Sequence, residues 1–298
     1  MVNGFEGASV TSDANAIVIE AQNLFGPRSC EIHGIKTFNG AKADDVILKT
    51  ASVIINTKSP LASVFDDVII GKQAILPEVD DIVYEDRLGT TGWIYRKKIL
   101  VGTRDLLIHH GVPVLKEDFE KKYTRKGRKV LYLAEAGKLM AMFVVSYSAD
   151  PQLKKALRKL EKSGMTILVR SADPFINDES IAELFELPDG YIRVMNSSNG
   201  RAFEKYSNLF AQKSPAYIVH NGSALGLVSA FSAAEDLQET RKLISVLISF
   251  GSALGLGVVG LLAFVGGIDQ LDAIKVALFQ AAWCIFVNLL AKIKSLFM

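Results

Sequence analysis

The residues with the clearest capacity for chemistry follow the run Ala16-Ile17-Val18-Ile19. Small and β-branched apolar residues in an unbroken run read as a buried strand of a parallel sheet. In open parallel sheets, chemistry gathers outside the carboxyl ends of the strands. Glu20, Ala21, Gln22 and Asn23 stand at that place. A second run, Met165 to Val169, ends in Arg170-Ser171-Ala172-Asp173-Pro174. Ser171 and Asp173 are also residue types that cap a following helix. His33, His109 and His110 raise the question of a metal. The adjacent pair diverges on a helix and no third ligand accompanies it, so these read as surface histidines and no metal site is expected.

Two domains' worth of chain, 298 residues, must position these groups. The formal net charge of +2 makes no case for nucleic acid, and no nucleic-acid partner is expected. Cys30 and Cys284 lack the spacing of a disulfide framework or a zinc site, which fits a reducing compartment. Met1 to Ala14 is polar, carries no apolar signal core, and reads as a mobile lead-in. The mean hydropathy of +0.24 is concentrated after Leu243.

From Cys30 to Arg128 the pattern is a small α+β unit. A strand at Cys30–Phe38 is followed by helices at Asp44–Asn56 and Leu61–Ile70. Strand-like runs come at Ile82–Glu85, Gly92–Tyr95 and Lys98–Val101. Beyond it, strands expected at Lys129–Ala134, Leu139–Ser146, Met165–Val169, Tyr191–Met195 and Ala216–His220 alternate with helices, the first capped by Asp150 with Pro151 at its first turn. Such alternation predicts a doubly wound parallel sheet, joined by the strand at Ala16–Ile19, with the α+β unit inserted after that strand.

Leu243 to Gly266 is uncharged over 24 residues, long enough to cross a bilayer, and Ala273 to Ala291 forms a return helix. Arg241, Lys242, Lys292 and Lys294 flank the pair, so both ends are expected on the cytoplasmic side. The competing reading is a buried hairpin of a soluble protein. Gln280, Cys284 and Asn288 lie along one face of the second helix, either as a functional polar face or as interhelical hydrogen-bonding groups. Gly251 and Gly255 have the spacing of close packing against a partner helix.

A sheet domain interrupted after its first strand by an α+β insert and followed by a membrane hairpin resembles the catalytic half of the P-type ATPases, specifically the heavy-metal-transporting branch. The resemblance covers nearly all of the chain. It implies an α/β fold with a HAD-like phosphorylation-type domain at 1–29 and 129–240. An inserted nucleotide-binding-type domain would occupy 30–128 and a transmembrane hairpin 241–298. The Thr-Gly-Glu actuator loop and the earlier membrane helices are not visible, which implies a fragment of a longer protein or a truncated relative.

The family places Asp-Lys-Thr-Gly-Thr after the first strand, and that aspartate accepts the γ-phosphate. Glu20-Ala21-Gln22-Asn23-Leu24 stands there instead, so the resemblance puts Glu20 at the nucleophile position, as a vestige or as a polar strand end. Thr-Gly-Asp, which binds the phosphoryl group, maps to Ser171-Ala172-Asp173. The magnesium-binding Gly-Asp-Gly-x-Asn-Asp loop maps to His220-Asn221-Gly222-Ser223-Ala224-Leu225, with neither aspartate kept. The adenine-contacting His-Pro pair maps to Ser59-Pro60, and the Gly-x-Gly loop to Arg87-Leu88-Gly89. The strand end Val-Leu-Val-Gly-Asn maps to the run closing at Gly102-Thr103. ATP is the cofactor this implies, with Mg²⁺ beside it but without its usual aspartates.

Three functions follow from the resemblance. One is a membrane-anchored, catalytically degenerate pump half with a regulatory, nucleotide-sensing or assembly role. Another is an active divergent cation pump completed by an N-terminal half. The third is a nucleotide-binding module without turnover. The partners implied are the membrane and either that N-terminal half or another membrane protein.

Overall fold

The computed structural model describes residues 4–26, 29–207 and 222–296. Within them, residues 14–26, 29–207 and 222–229 form one compact unit, and 4–13 with 230–296 form a second. The chain begins with helix α1 (Gly4–Ser12), where a mobile lead-in is expected. Ala8 is buried there, and the Thr11 hydroxyl donates to the Gly7 carbonyl. Short side chains without a periodic apolar stripe hid this helix from sequence.

Strand β1 (Ala16–Glu20) runs directly into a single buried helical turn, α2 (Ala21–Leu24). The insert then opens with β2 (Cys30–Thr37), α3 (Ala43–Asn56) and α4 (Ala62–Val68). It continues through β3 (Asp80–Glu85), β4 (Gly89–Ile94), β5 (Lys97–Gly102), α5 (Arg104–His109) and α6 (Glu117–Lys121). Strands β6 (Lys129–Glu135) and β7 (Lys138–Tyr147) follow.

Those two strands correct the expected layout. They do not enter the parallel sheet. They complete a six-stranded antiparallel sheet in the order β2-β7-β6-β5-β4-β3. The reason is local. Ala136 and Gly137 both take positive φ, 48° and 78°, which is the two-residue turn that folds a hairpin back on itself. The far edge of β7 then pairs with β2, from Cys30 opposite Tyr147 to Thr37 opposite Ala141. The insert's sheet therefore ends at Tyr147, not at Arg128. One face of it buries Leu100, Leu106, Leu107, Val130, Tyr132 and Met142 in a common core.

After the insert come α7 (Pro151–Glu161), β8 (Thr166–Arg170), α8 (Asp178–Phe185), β9 (Ile192–Met195) and α9 (Ser197–Ser207). Asp150 caps α7 as expected, accepting from the amides of Gln152 and Leu153. The strands form a parallel sheet in the order β1-β8-β9, with Glu20 opposite Arg170 at its carboxyl edge. The strand expected at 216–220 lies outside the described residues.

A buried ion pair ties α3 to the antiparallel sheet. Lys49 Nζ lies 2.7 Å from both Glu135 and Asp45, and Lys97 adds a contact to Glu135 at 3.0 Å. Lys49 and Glu135 are both under a tenth exposed. Burial pulls the Lys49 ammonium down, but hydrogen bonds to Asp45 and Glu135 outweigh it and leave its pKa raised. Burial pushes the Glu135 carboxyl up, and Lys49 and Lys97 outweigh that to leave it lowered.

The Glu135 contribution to stability is therefore present above its unfolded pKa and lost as pH falls through the folded one. That of Lys49 is full below its unfolded pKa and lost as pH rises through the folded one. We expect Glu135→Gln to cost about 3 kcal/mol at neutral pH and to flatten the acid limb. Urea unfolding across a pH series reads both effects; an acid limb as steep as that of the wild type would contradict them.

Helix α10 (Ala224–Phe264) starts in the first unit and, from Ala230 on, dominates the second together with α11 (Ala273–Leu296). At 41 residues, α10 is roughly 60 Å long, about twice the hydrocarbon thickness of a bilayer. Its apolar half begins near Leu243 and exposes Val246, Ile248, Phe250, Leu256 and Leu261. Both helices are long and apolar enough to cross a membrane, and only 6% of each apolar window is buried, unlike a soluble core hairpin.

The Gly251 spacing finds its partner inside this hairpin. A Cβ there would fall on the Trp283 ring, whose Nε1–H donates to the Leu247 carbonyl at 3.0 Å. Asn288 of the expected polar face donates to the Cys284 carbonyl of its own helix. Asp272 receives the Lys275 amide at the start of α11, and Lys294 pairs with Glu239 at 3.2 Å.

Candidate functional site

The parallel sheet delivers two side chains side by side at its carboxyl edge. Register places Glu20 at the end of β1 directly across from Arg170 at the end of β8. Arg170 Nη1 meets Glu20 Oε1 at 2.9 Å, while Nη2 is 3.5 Å from Glu204 on α9. The guanidinium also lies 5.7 Å from the centre of the Phe203 ring. Ile17 and Ile19 are buried on one face of β1, so strand alternation sends Glu20 to the other. The buried Ala21, Leu24 and Phe25 that follow fix where the strand ends. The carboxylate at the expected nucleophile position is thus held in an ion pair.

Beyond β8 the chain turns sharply. Ser171 Oγ accepts the amide of Asp173, and Asp173 Oδ1 accepts the amide of Phe175, both at 3.0 Å. These two residues build a turn; they do not cap α8, whose cap is Asn177 in a reciprocal pair with Ser180. Asp173 is 1% exposed. Its Oδ2 accepts from Ser59 Oγ at 2.7 Å and from Tyr147 Oη at 2.8 Å. Phe25 meets the Tyr147 ring edge-on at 5.7 Å, and Phe175 lies 6.3 Å from it.

Burial pushes the Asp173 carboxyl above the usual aspartate range, against the hydrogen bonds from Ser59, the Phe175 amide and Tyr147 that favour its charged form. Burial, with Asp173 nearby, raises the Tyr147 phenol and the Cys30 thiol.

The expected nucleotide residues separate into two groups. Ser59 and Pro60 are buried, and the Ser59 hydroxyl is committed to Asp173. Arg87 is exposed with φ of 63°, in the turn between β3 and β4. Gly89 and Gly102 face each other across β4 and β5. A Cβ on Gly102 would sit 2.8 Å from the Gly89 Cα and 2.7 Å from a Leu106 methyl, as well as on the Leu88 carbonyl oxygen. The pair lets two backbones and α5 approach closely.

Among the described residues no group of three or more metal-capable side chains comes together. Magnesium takes oxygen ligands and keeps several waters. Asp173 is enclosed, with both oxygens already accepting hydrogen bonds, so the set does not fit a magnesium ion.

Sequence reasoning marked Arg170 only as a strand end and missed Tyr147 altogether. The parallel register of β1 and β8 was the signal for the first. No local pattern marks the second.

A parallel sheet broken after its first strand by an antiparallel insert, and followed in sequence by two long apolar helices, is the layout to which the resemblance to P-type ATPase catalytic halves points. No family model matches the chain. A curated relative, Copper-transporting ATPase 2 of Rhizobium meliloti (strain 1021), is 22% identical over 194 residues, 65% of this chain and 24% of the relative. The match thus spans about a quarter of that relative's length.

Similar solved structures include a zinc-transporting PIB-type ATPase in its E2.Pi state. Its TM-score is 0.43 and its identity 11%, over 96% of this chain and 50% of that one. The catalytic domain of the CPx-ATPase CopB-B gives a TM-score of 0.38 at 17% identity, over 67% and 69% of the two chains. The likeness to the heavy-metal P-type branch is met in the curated sequence match.

Proposed function

We propose that the chain is a membrane-anchored homologue of the catalytic half of a heavy-metal-transporting P-type ATPase in which phosphoryl transfer has been lost. The observation that carries this reading is the ion pair at the nucleophile position, Arg170 to Glu20 at 2.9 Å. Glutamate carries its carboxylate more than about an ångström further out than aspartate, and misplacement of that order costs on the order of a hundredfold in rate. A guanidinium pairing adds to that loss by holding the carboxylate away from an incoming phosphoryl group.

Phosphoryl transfer also needs positioned charge to offset what develops on the transferring group. The residues at 220–225 contain no aspartate, and Asp173 is enclosed. The hairpin α10–α11 supplies the anchor, and the cations at its two ends favour placing both on the cytoplasmic side. A regulatory, nucleotide-sensing or assembly role beside a heavy-metal pump, copper being the cargo named for the curated relative, fits a fold retained without its chemistry. The test is acid-quenched phosphorylation with labelled ATP and Mg²⁺. No acid-stable phosphoenzyme is expected, and a strong one abolished by Glu20→Gln would establish an active, divergent pump instead.

A further inference from the structure

Besides the Tyr147–Asp173 hydrogen bond at the end of β7, two side-chain bridges among the described residues join the insert to the parallel sheet through different elements of each. At the first, Ser59, in the connection between α3 and α4, donates to Asp173 at 2.7 Å. Both residues are 1% exposed. At the second, Asp86 in the turn between β3 and β4 accepts from the amide of Ser197 at 2.9 Å and from its hydroxyl at 3.0 Å. Ser197 opens α9, eleven residues long, so this carboxylate meets the positive end of a helix dipole and an otherwise unpaired amide.

Asp173 follows β8 and Ser197 follows β9. Both bridges therefore lie outside the carboxyl ends of parallel strands, in the crevice where an open α/β sheet takes its ligand. The insert's own side chains hold that crevice.

We propose that Ser59–Asp173 and Asp86–Ser197 form a latch that keeps the insert closed on the parallel sheet without nucleotide. The latch stands on these contacts alone and holds whether or not the chain transfers phosphate. The first bridge is dry and therefore strong, since a buried carboxylate that loses a donor has no water to replace it. The second is exposed but charge-assisted and doubly bonded.

The test uses the full chain in lipid nanodiscs with Cys284→Ser, leaving the buried Cys30. Spin labels are attached to cysteines replacing Ile70 on the insert and Asp189 beyond α8, both exposed. Wild-type bridges should give one narrow distance distribution that ATP at millimolar concentration leaves unchanged. The Ser59→Ala/Asp86→Ala pair should add a longer population. Asp86→Ala alone, on an exposed turn, should speed hydrogen exchange of the Ser197 amide roughly tenfold. Several populations in the wild type, a shift on adding ATP, or no change in either variant would overturn the latch. The wild-type measurement decides the matter even where the double variant fails to fold.

Discussion

Replacing Gly102 by alanine should cost about 3 kcal/mol or more and lower the unfolding midpoint of the larger unit accordingly. The backbone φ of Gly102 is not in the left-handed region, so the cost is steric and not conformational. A Cβ there meets the Leu88 carbonyl oxygen and the Gly89 Cα, both backbone atoms that cannot rotate away. Leu88 O already accepts from the Thr103 amide at 2.8 Å, so a shift that relieves the clash also breaks a bond. Gly89→Ala should cost still more, because its φ of 144° adds strain to a clash with the Gly102 Cα. Urea unfolding of the two variants checks this. A Gly102→Ala protein as stable as the wild type would show that the strands tolerate a wider spacing.

Asp173→Ala should destabilise by about 3 kcal/mol, because it strands Ser59 Oγ, Tyr147 Oη and the Phe175 amide in a dry pocket. The loss is partly offset by removing a carboxylate that is costly to bury. Asp173→Asn removes the charge with less loss: its carbonyl oxygen in the Oδ2 place still accepts from both hydroxyls, while its NH2 then faces the Phe175 amide and that one bond is lost.

The folded Asp173 pKa is raised by burial, so the folded state holds the proton more tightly than the unfolded chain does. The wild type is therefore favoured below the unfolded pKa and loses that advantage as pH rises through the folded one. Stability of the asparagine variant relative to wild type should climb across the same interval and then level off. A difference that does not vary with pH would mean that Asp173 is not buried as a carboxylate.

Local pattern carried much of the fold. The Asp150-Pro151 start of α7, the apolar run of β1 and the 24-residue uncharged stretch after Arg241 and Lys242 each announced their element. What failed was pairing. Apolar runs at 129–135 and 138–147 looked the same whether bound for a parallel or an antiparallel sheet. The positive-φ turn at Ala136-Gly137, which decides between them, is two residues long.

The candidate site divides in the same way. Glu20, Ser171 and Asp173 were legible as strand-end residues. The Arg170 partner depends on the register of strands 150 residues apart, and the Ser59 partner on a contact 114 residues away. Gly102 drew notice through its likeness to a known strand end, but its role opposite Gly89 comes from the β4–β5 register.

In the proposed reading the fold persists while the Glu20 position no longer accepts phosphate. Labelling the full chain in lipid with γ-labelled ATP and Mg²⁺, acid-quenching it and counting phosphate per chain tests this most directly. Wild type and Glu20→Gln are expected to carry the same background label, since a nucleophile misplaced by about an ångström reacts on the order of a hundredfold more slowly. Near-stoichiometric label that disappears in Glu20→Gln would contradict it.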